Sequence, residues 1–215
     1  MPDHSGTKLG NMSNNSEKLL QLARETGSIK FGHFVLASGA TSNRYFEGKL
    51  LTLHPAGTRM VAEAMFELIR DSEIDAVGGL AMGAVPIATA IAMVSSEKGQ
   101  PLPAFLVREV PKEHGTQRQI EGHFKKGARV AIVDDVITRG DSVEKAIRAV
   151  KEAGGIVVKV ITIVDRHEGG ADRLRQEGYD VIPLIDFLPD GSVKPHVAIK
   201  SERGTEKGAL RPQPA

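Results

Sequence analysis

The sequence predicts an α/β protein built on a doubly wound, mainly parallel sheet. Three observations point there: short apolar runs alternate with segments of helical periodicity, most of the runs read as buried strands, and one of the helical segments is apolar nearly all round. Ser16 to Thr26 reads as a short amphipathic helix, with Leu19, Leu20, Leu22 and Ala23 on one side. Phe31–Leu36 and Arg44–Phe46 read as short strands around the turn Ala37-Ser38-Gly39-Ala40. Pro55 to Asp71 spaces Met60, Val61, Ala64, Met65 and Leu68 as a helix does, and Pro55 suits its first turn. Ala76–Leu80 is an apolar strand that runs into a Gly-containing turn, and Ala84–Ser96 is the helix that should be buried. Ala104–Val107, Arg129–Val133 and Ile156–Val164 are further buried strands. Ser142–Ala153 is a helix stopped by Gly154-Gly155, Gly170–Glu177 another, and Tyr179–Ile185 the last strand. Sheets of this kind bind ligands at the carboxyl ends of their strands, which is where chemistry should be sought.

Composition narrows the class. At 215 residues the chain suits one medium domain, and hydrophobic residues at 40% with charged residues at 26% are those of a globular protein. A net charge of +1 gives no bulk attraction to nucleic acid or to an anionic membrane. The absence of cysteine excludes disulfides and thiolate chemistry. No apolar run approaches a membrane span, and residues 1–15 lack the apolar stretch of a signal peptide, so cytosol is the expected compartment. Residues 1–15 and 203–215 are expected to be loose tails, and either Met1 or Met12 could be the start.

The chemistry concentrates at one strand end. Arg129-Val130-Ala131-Ile132-Val133 leads into Asp134-Asp135, then Val136-Ile137, then the polar turn Thr138-Arg139-Gly140-Asp141-Ser142 that opens a helix. Adjacent carboxylates beside an apolar strand are costly unless something uses them. The turn offers hydroxyls and backbone N–H groups to a phosphate, helped by the helix N-terminus. Acceptors for sugar hydroxyls followed by donors for a phosphate suit a ribose 5-phosphate. The plain alternative is a strand-to-helix loop with Asp141 as N-cap and the acids solvated. The stretch is neither a Walker A loop, lacking Gly-Lys-Ser/Thr, nor a dinucleotide Gly-x-Gly-x-x-Gly.

The same thirteen residues resemble the phosphoribosyl pyrophosphate (PRPP) motif of type I phosphoribosyltransferases. That resemblance implies that Asp134 and Asp135 contact the ribose hydroxyls and that Val136, Ile137, Thr138, Arg139, Gly140, Asp141 and Ser142 complete the PRPP site. Three further segments resemble the orotate phosphoribosyltransferases. Arg108-Glu109-Val110-Pro111-Lys112-Glu113-His114-Gly115 resembles their mobile loop, spanning 108 to 123, a long polar segment that by composition alone could equally be a solvated surface loop. Arg108, Lys112 and His114 would grip pyrophosphate there. Val164-Asp165-Arg166 resembles the strand end whose Arg contacts orotate, although an Asp-Arg pair could also be a structural ion pair. Phe34 to Phe46 resembles the N-terminal hood over the base.

The resemblance covers roughly residues 30–185 and implies a domain over 16–202, with a small N-terminal hood from 16–50 and a core over 55–185. It implies transfer of a phosphoribosyl group from PRPP to orotate, giving orotidine 5′-monophosphate and pyrophosphate in pyrimidine biosynthesis. Lys112, His114 and Asp135 would be catalytic, and Thr138 and Arg166 would meet orotate. Mg²⁺ would be carried mainly by PRPP, with waters near Asp134 and Asp135. A homodimer would send loop 108–123 into the partner's site, with no nucleic acid or membrane involved. Three family cations are absent, at Ala37, Glu109 and Met82, and Arg44 and Lys49 are candidates to replace the first. Rival readings are a phosphoribosyltransferase for xanthine or adenine, which needs no carboxylate-gripping Arg166, and a non-catalytic PRPP-binding regulator.

Overall fold

The computed structural model describes residues 16–35, 41–110 and 119–196. Helix α1 (16–25) leads into a hairpin of β1 (Ile29–Val35) and β2 (Thr41–Phe46), which forms a two-stranded antiparallel sheet of its own. Helices α2 (Gly48–Thr52) and α3 (Pro55–Ile69) follow. His54 caps α3: its Nδ1 accepts the N–H of Gly57 at 3.3 Å, and Pro55, which has no N–H to satisfy, takes the first turn.

The main sheet then forms: β3 (Ala76–Leu80), α4 (Ala84–Glu97), β4 (Ala104–Val107), β5 (Ile120–Gly122), β6 (Arg129–Ile137), α5 (Asp141–Glu152), β7 (Ile156–Asp165), α6 (Gly170–Gln176), β8 (Val181–Phe187) and β9 (Val193–Pro195). Its seven strands run in the order β5-β4-β3-β6-β7-β8-β9. The inner five are parallel, and β5 and β9 are antiparallel edges. Helices α3 and α4 pack on one face and α5 and α6 on the other, each face with its own apolar core. Helix α1 adds Leu19, Leu20 and Ala23 to the first core. Helix α5 buries Val143, Ala146, Ile147 and Val150, the i, i+3, i+4, i+7 stripe of an amphipathic helix, with Ala149 beside them, and ends where Gly154 takes φ 79°. The winding changes direction between β3 and β6. Crevices at such switch points hold the ligands of doubly wound sheets.

The structure departs from the sequence expectation in detail. Strand β6 does not stop at Val133 but runs through the acid pair to Ile137, because β7 continues to pair with it, Asp134 opposite Thr162 and Ile137 opposite Asp165. Helix α5 opens at Asp141 rather than Ser142, and its N-cap is Gly140 at φ 88°, not Asp141. The stretch 108–123 is not loop throughout: Ile120–Gly122 pairs antiparallel with β4. The sheet also continues past 185, where Val193–Pro195 pairs with β8.

Candidate active site

The acid pair lies on β6 beyond Ile132, the last residue that β6 pairs with β3. Two helix starts close over it. A Cβ on Gly83, which caps α4, would lie 2.6 Å from Oδ1 of Asp134, and one on Gly48, which opens α2, would lie 2.9 Å from Cγ of Asp135. Only glycine permits either approach. Asp134 is buried, and its Oδ1 accepts the N–H of Asp135 at 2.9 Å. Burial, then the neighbouring charge of Asp135, pushes the Asp134 carboxyl well above the usual carboxylate range. Burial raises Asp135 as well, against the pull of the Lys49 ammonium. Two carboxyls held in this state gain from any ligand that brings hydroxyl donors or positive charge.

The turn after β6 is fixed from behind. The carbonyl of Thr138 accepts the N–H of Gly170 at 3.0 Å, that of Arg139 accepts Arg173 Nη2 at 2.9 Å, and that of Gly140 accepts the N–H of Glu144 at 2.9 Å. The first N–H groups of α5 have no intrahelical acceptor. With the carbonyls of residues 138 to 140 engaged, what the backbone of those residues still offers is donors, which suits an anion. Val136 is half-buried, and Ile137 is buried in the second core, so Ile137 has only its backbone to give a ligand.

Arg166 stands at the end of β7, its N–H bonded to the carbonyl of Ile137 at 3.0 Å. It does not pair with Asp165. Its Nε lies 3.1 Å from Glu168 Oε1, and its Nη2 donates to Ser42 Oγ of the hairpin at 3.3 Å. The hairpin is itself tied down: the buried Arg44 donates to the carbonyls of Phe187 at 3.2 Å and Ser192 at 3.4 Å, and stacks over the Phe187 ring at 5.5 Å. Burial, then the nearby Arg166 charge, lowers the Arg44 pKa. Arg44 is thereby a structural clasp, whereas Lys49 is the cation felt at the acid pair.

Arg108 follows β4 and turns to Glu121 of β5, Nη1 to Oε1 3.2 Å. Glu109, where the resemblance implies a cation, pairs with Lys145 on α5. Met82 is exposed in the turn after β3, and the Ala81–Met82 peptide is cis. Lys112, His114 and the Ala37–Ala40 turn lie outside the described residues. A cleft of about 590 Å³ lined by Asp75, His123, Lys125 and Lys126 opens at the other end of the sheet, by the start of β3 and away from the acid pair.

The structure thus brings Asp134, Asp135, the 138–142 turn and Arg166 to the carboxyl ends of adjacent strands. Sequence reasoning missed Ser42 as a partner of Arg166 and Gly48 as a wall of the acid pocket. A glycine at the start of a helix is the one local sign that could have marked Gly48.

Comparison with known proteins agrees with this geometry. The phosphoribosyl transferase domain family matches residues 49–182. Orotate phosphoribosyltransferase of Methanocaldococcus jannaschii is 44% identical over 168 residues, spanning 78% of this chain and 92% of that one. The Aquifex aeolicus protein of the same name is 44% identical over 178 residues, spanning 80% and 97%. Among solved structures, Mycobacterium tuberculosis H37Rv orotate phosphoribosyltransferase in complex with PRPP superposes with a TM-score of 0.64 at 32% identity, covering 80% of this chain and 89% of that one. Adenine phosphoribosyltransferase from Leishmania donovani shares the fold alone, at 17% identity and a TM-score of 0.57. With its strand-end acids, its phosphate turn and these relatives, the chain belongs to the orotate phosphoribosyltransferase family.

Proposed function

We propose that this protein transfers the phosphoribosyl group of PRPP to orotate, releasing pyrophosphate and forming orotidine 5′-monophosphate, as a homodimer in the cytoplasm. The observation that carries the reading is the meeting of Asp134, Asp135 and the 138–142 turn at the switch point of the sheet, with Arg166 on the next strand. No described helix is long and apolar enough to cross a membrane.

Asp134 and Asp135 accept hydrogen bonds from the ribose 2′ and 3′ hydroxyls. The N–H groups and hydroxyls of Thr138 to Ser142, with Arg139, hold the 5-phosphate. Arg166 grips orotate with a planar fork of donors, and Thr138 lies beside it in the same site. The raised carboxyls at 134 and 135 fit a divalent cation, since positive charge there relieves their burial and mutual repulsion. They would hold Mg²⁺ through water, and Mg²⁺ supplies charge neutralisation for the departing pyrophosphate. Bond breaking at ribose C1 builds positive charge on the sugar ring and negative charge on the leaving group. Asp135 stabilises the first, and Arg108, Lys112 and His114 the second, His114 with a proton to give. Reaching pyrophosphate requires Arg108 to leave Glu121. Movement of the 108–123 segment does this, keeps water from C1 and carries the cations to the partner subunit's site. The catalytic unit is the domain over 16–202.

Product analysis tests the reading. Protein incubated with PRPP, Mg²⁺ and orotate should yield orotidine 5′-monophosphate and pyrophosphate in equal amounts. Ribose 5-phosphate without the nucleotide would contradict it. Light scattering of the purified chain should give twice the monomer mass.

A further inference from the structure

Behind Arg166 lies a cluster that the reaction described above does not use. Asp165 and Asp186 are register neighbours on β7 and β8. Oδ1 of Asp165 accepts the N–H of His167 at 2.8 Å, closing a tight turn around Arg166. His167 sits at φ 52°, in the left-handed region that residues other than glycine adopt infrequently, and contacts of its ring can hold it there. What holds it is Asp186. His167 Nε2 is 2.8 Å from Asp186 Oδ1, and His196 Nδ1 is 2.7 Å from Asp186 Oδ2. Burial alone would raise Asp186, but the hydrogen bonds from His196 and His167 outweigh it and hold the carboxyl below its usual range. An ionised carboxylate only accepts, so both imidazoles donate. His196 is fixed in turn by its own N–H, bonded to the carbonyl of Leu184 at 2.9 Å.

We infer that His167, clamped by Asp186 and His196, is a positioning residue that sets the direction of Arg166 toward the accepting base. This inference rests on the reading of Arg166 as the orotate-binding group. The physical reason is leverage. Arg166 lies between two fixed points, its own N–H on β6 and the His167 ring on β8. Its side chain is 10% exposed, donates to Ser42 of the hairpin and pairs with Glu168. Releasing His167 frees the strained turn to relax, and the guanidinium moves with it. On the same reading ribose and phosphate are held by β6 and the start of α5, so PRPP should not sense the change.

Steady-state kinetics of His167→Ala should give an orotate KM raised roughly tenfold, with kcat and the PRPP KM each within about threefold of wild type. His167→Gln, whose amide can still donate to Asp186, should recover most of the orotate KM. An unchanged orotate KM, an equal rise in both KM values, or a Gln variant as impaired as Ala would overturn the inference. Should His167→Ala fail to fold, Asp186→Asn is read by the same criteria. Asp165, His167 and Asp186 also have donor atoms within 4.8 Å of one another, close enough to hold a cation. Enzyme stripped with chelator and resupplied with Mg²⁺ should keep its orotate KM. A rise that zinc reverses would overturn the hydrogen-bond clamp in favour of a metal. A wild-type protein that ignores orotate would instead sink the functional reading.

Discussion

Gly48 and Asp135 lie so close that a single added methyl group at position 48 would fall 2.9 Å from the Asp135 Cγ. The first residue of α2 therefore forms one wall of the acid pocket. Gly48→Ala should push the Asp135 side chain off its present position. Overpacking of this kind costs about 1–3 kcal/mol. The kcat/KM for PRPP should fall at least about tenfold, since small misplacements of a reacting group are expensive. Steady-state kinetics alongside thermal melting separates the two effects.

Asp134 links stability to pH. Its carboxyl is raised in the folded state by burial first and by Asp135 second. A raised acid favours folding only while protonated. Its contribution is therefore fully present below the ordinary carboxylate range and is lost as pH rises through the folded value. Asp134→Asn removes that loss. The variant should gain on the order of 1 kcal/mol over wild type at pH 8 and little at pH 4, a tenfold change in a protonation equilibrium being worth about 1.4 kcal/mol. Its activity should fall at least about tenfold. Urea titrations at the two pH values check the sign; a variant less stable than wild type at pH 8 would contradict it.

Arg44 couples the hairpin to the sheet. Arg44→Ala leaves the carbonyls of Phe187 and Ser192 without this donor and removes the stacking on Phe187. A loss of about 2 kcal/mol is expected, read as a lower urea midpoint. The orotate KM should rise because Ser42, the hairpin's contact with Arg166, is two residues away. Arg44→Lys should not restore either property, since one ammonium cannot reproduce the fork.

The role proposed for Lys112 separates from binding. If it acts on charge that develops as pyrophosphate leaves, Lys112→Ala should lower kcat by about a hundredfold or more with a PRPP dissociation constant within about threefold. Equal losses in turnover and affinity would instead make it a ground-state contact.

Much of the fold was legible in sequence because its signals are local. The periodicity of Val143 to Val150, the Pro55 helix start and the apolar run before Asp134 each lie within a few residues. The motif from Val130 to Ser142 was legible for the same reason, as a contiguous stretch delivers both sugar acceptors and phosphate donors. The short elements were not. Strands β5 and β9 have three residues each and are defined only by pairing with β4 and β8. The acids read as a strand terminus because their polarity breaks the apolar pattern, yet the backbone hydrogen bonds to β7 ignore side-chain polarity. The contacts that finish the site join distant residues: Gly48 with Asp135, Ser42 with Arg166, and His167 with Asp186 and His196. Nothing in one-dimensional spacing encodes those meetings.

The base that accepts the phosphoribosyl group is the central question, and comparison of kcat/KM across bases answers it. With PRPP and Mg²⁺ fixed, consumption of orotate is followed by absorbance beside adenine, xanthine and uracil. Orotate should be preferred by at least about a hundredfold, because a base without the carboxylate leaves the Arg166 fork with Glu168 and Ser42 and forgoes its charge-assisted hydrogen bonds. Turnover of adenine or xanthine with no consumption of orotate would contradict it.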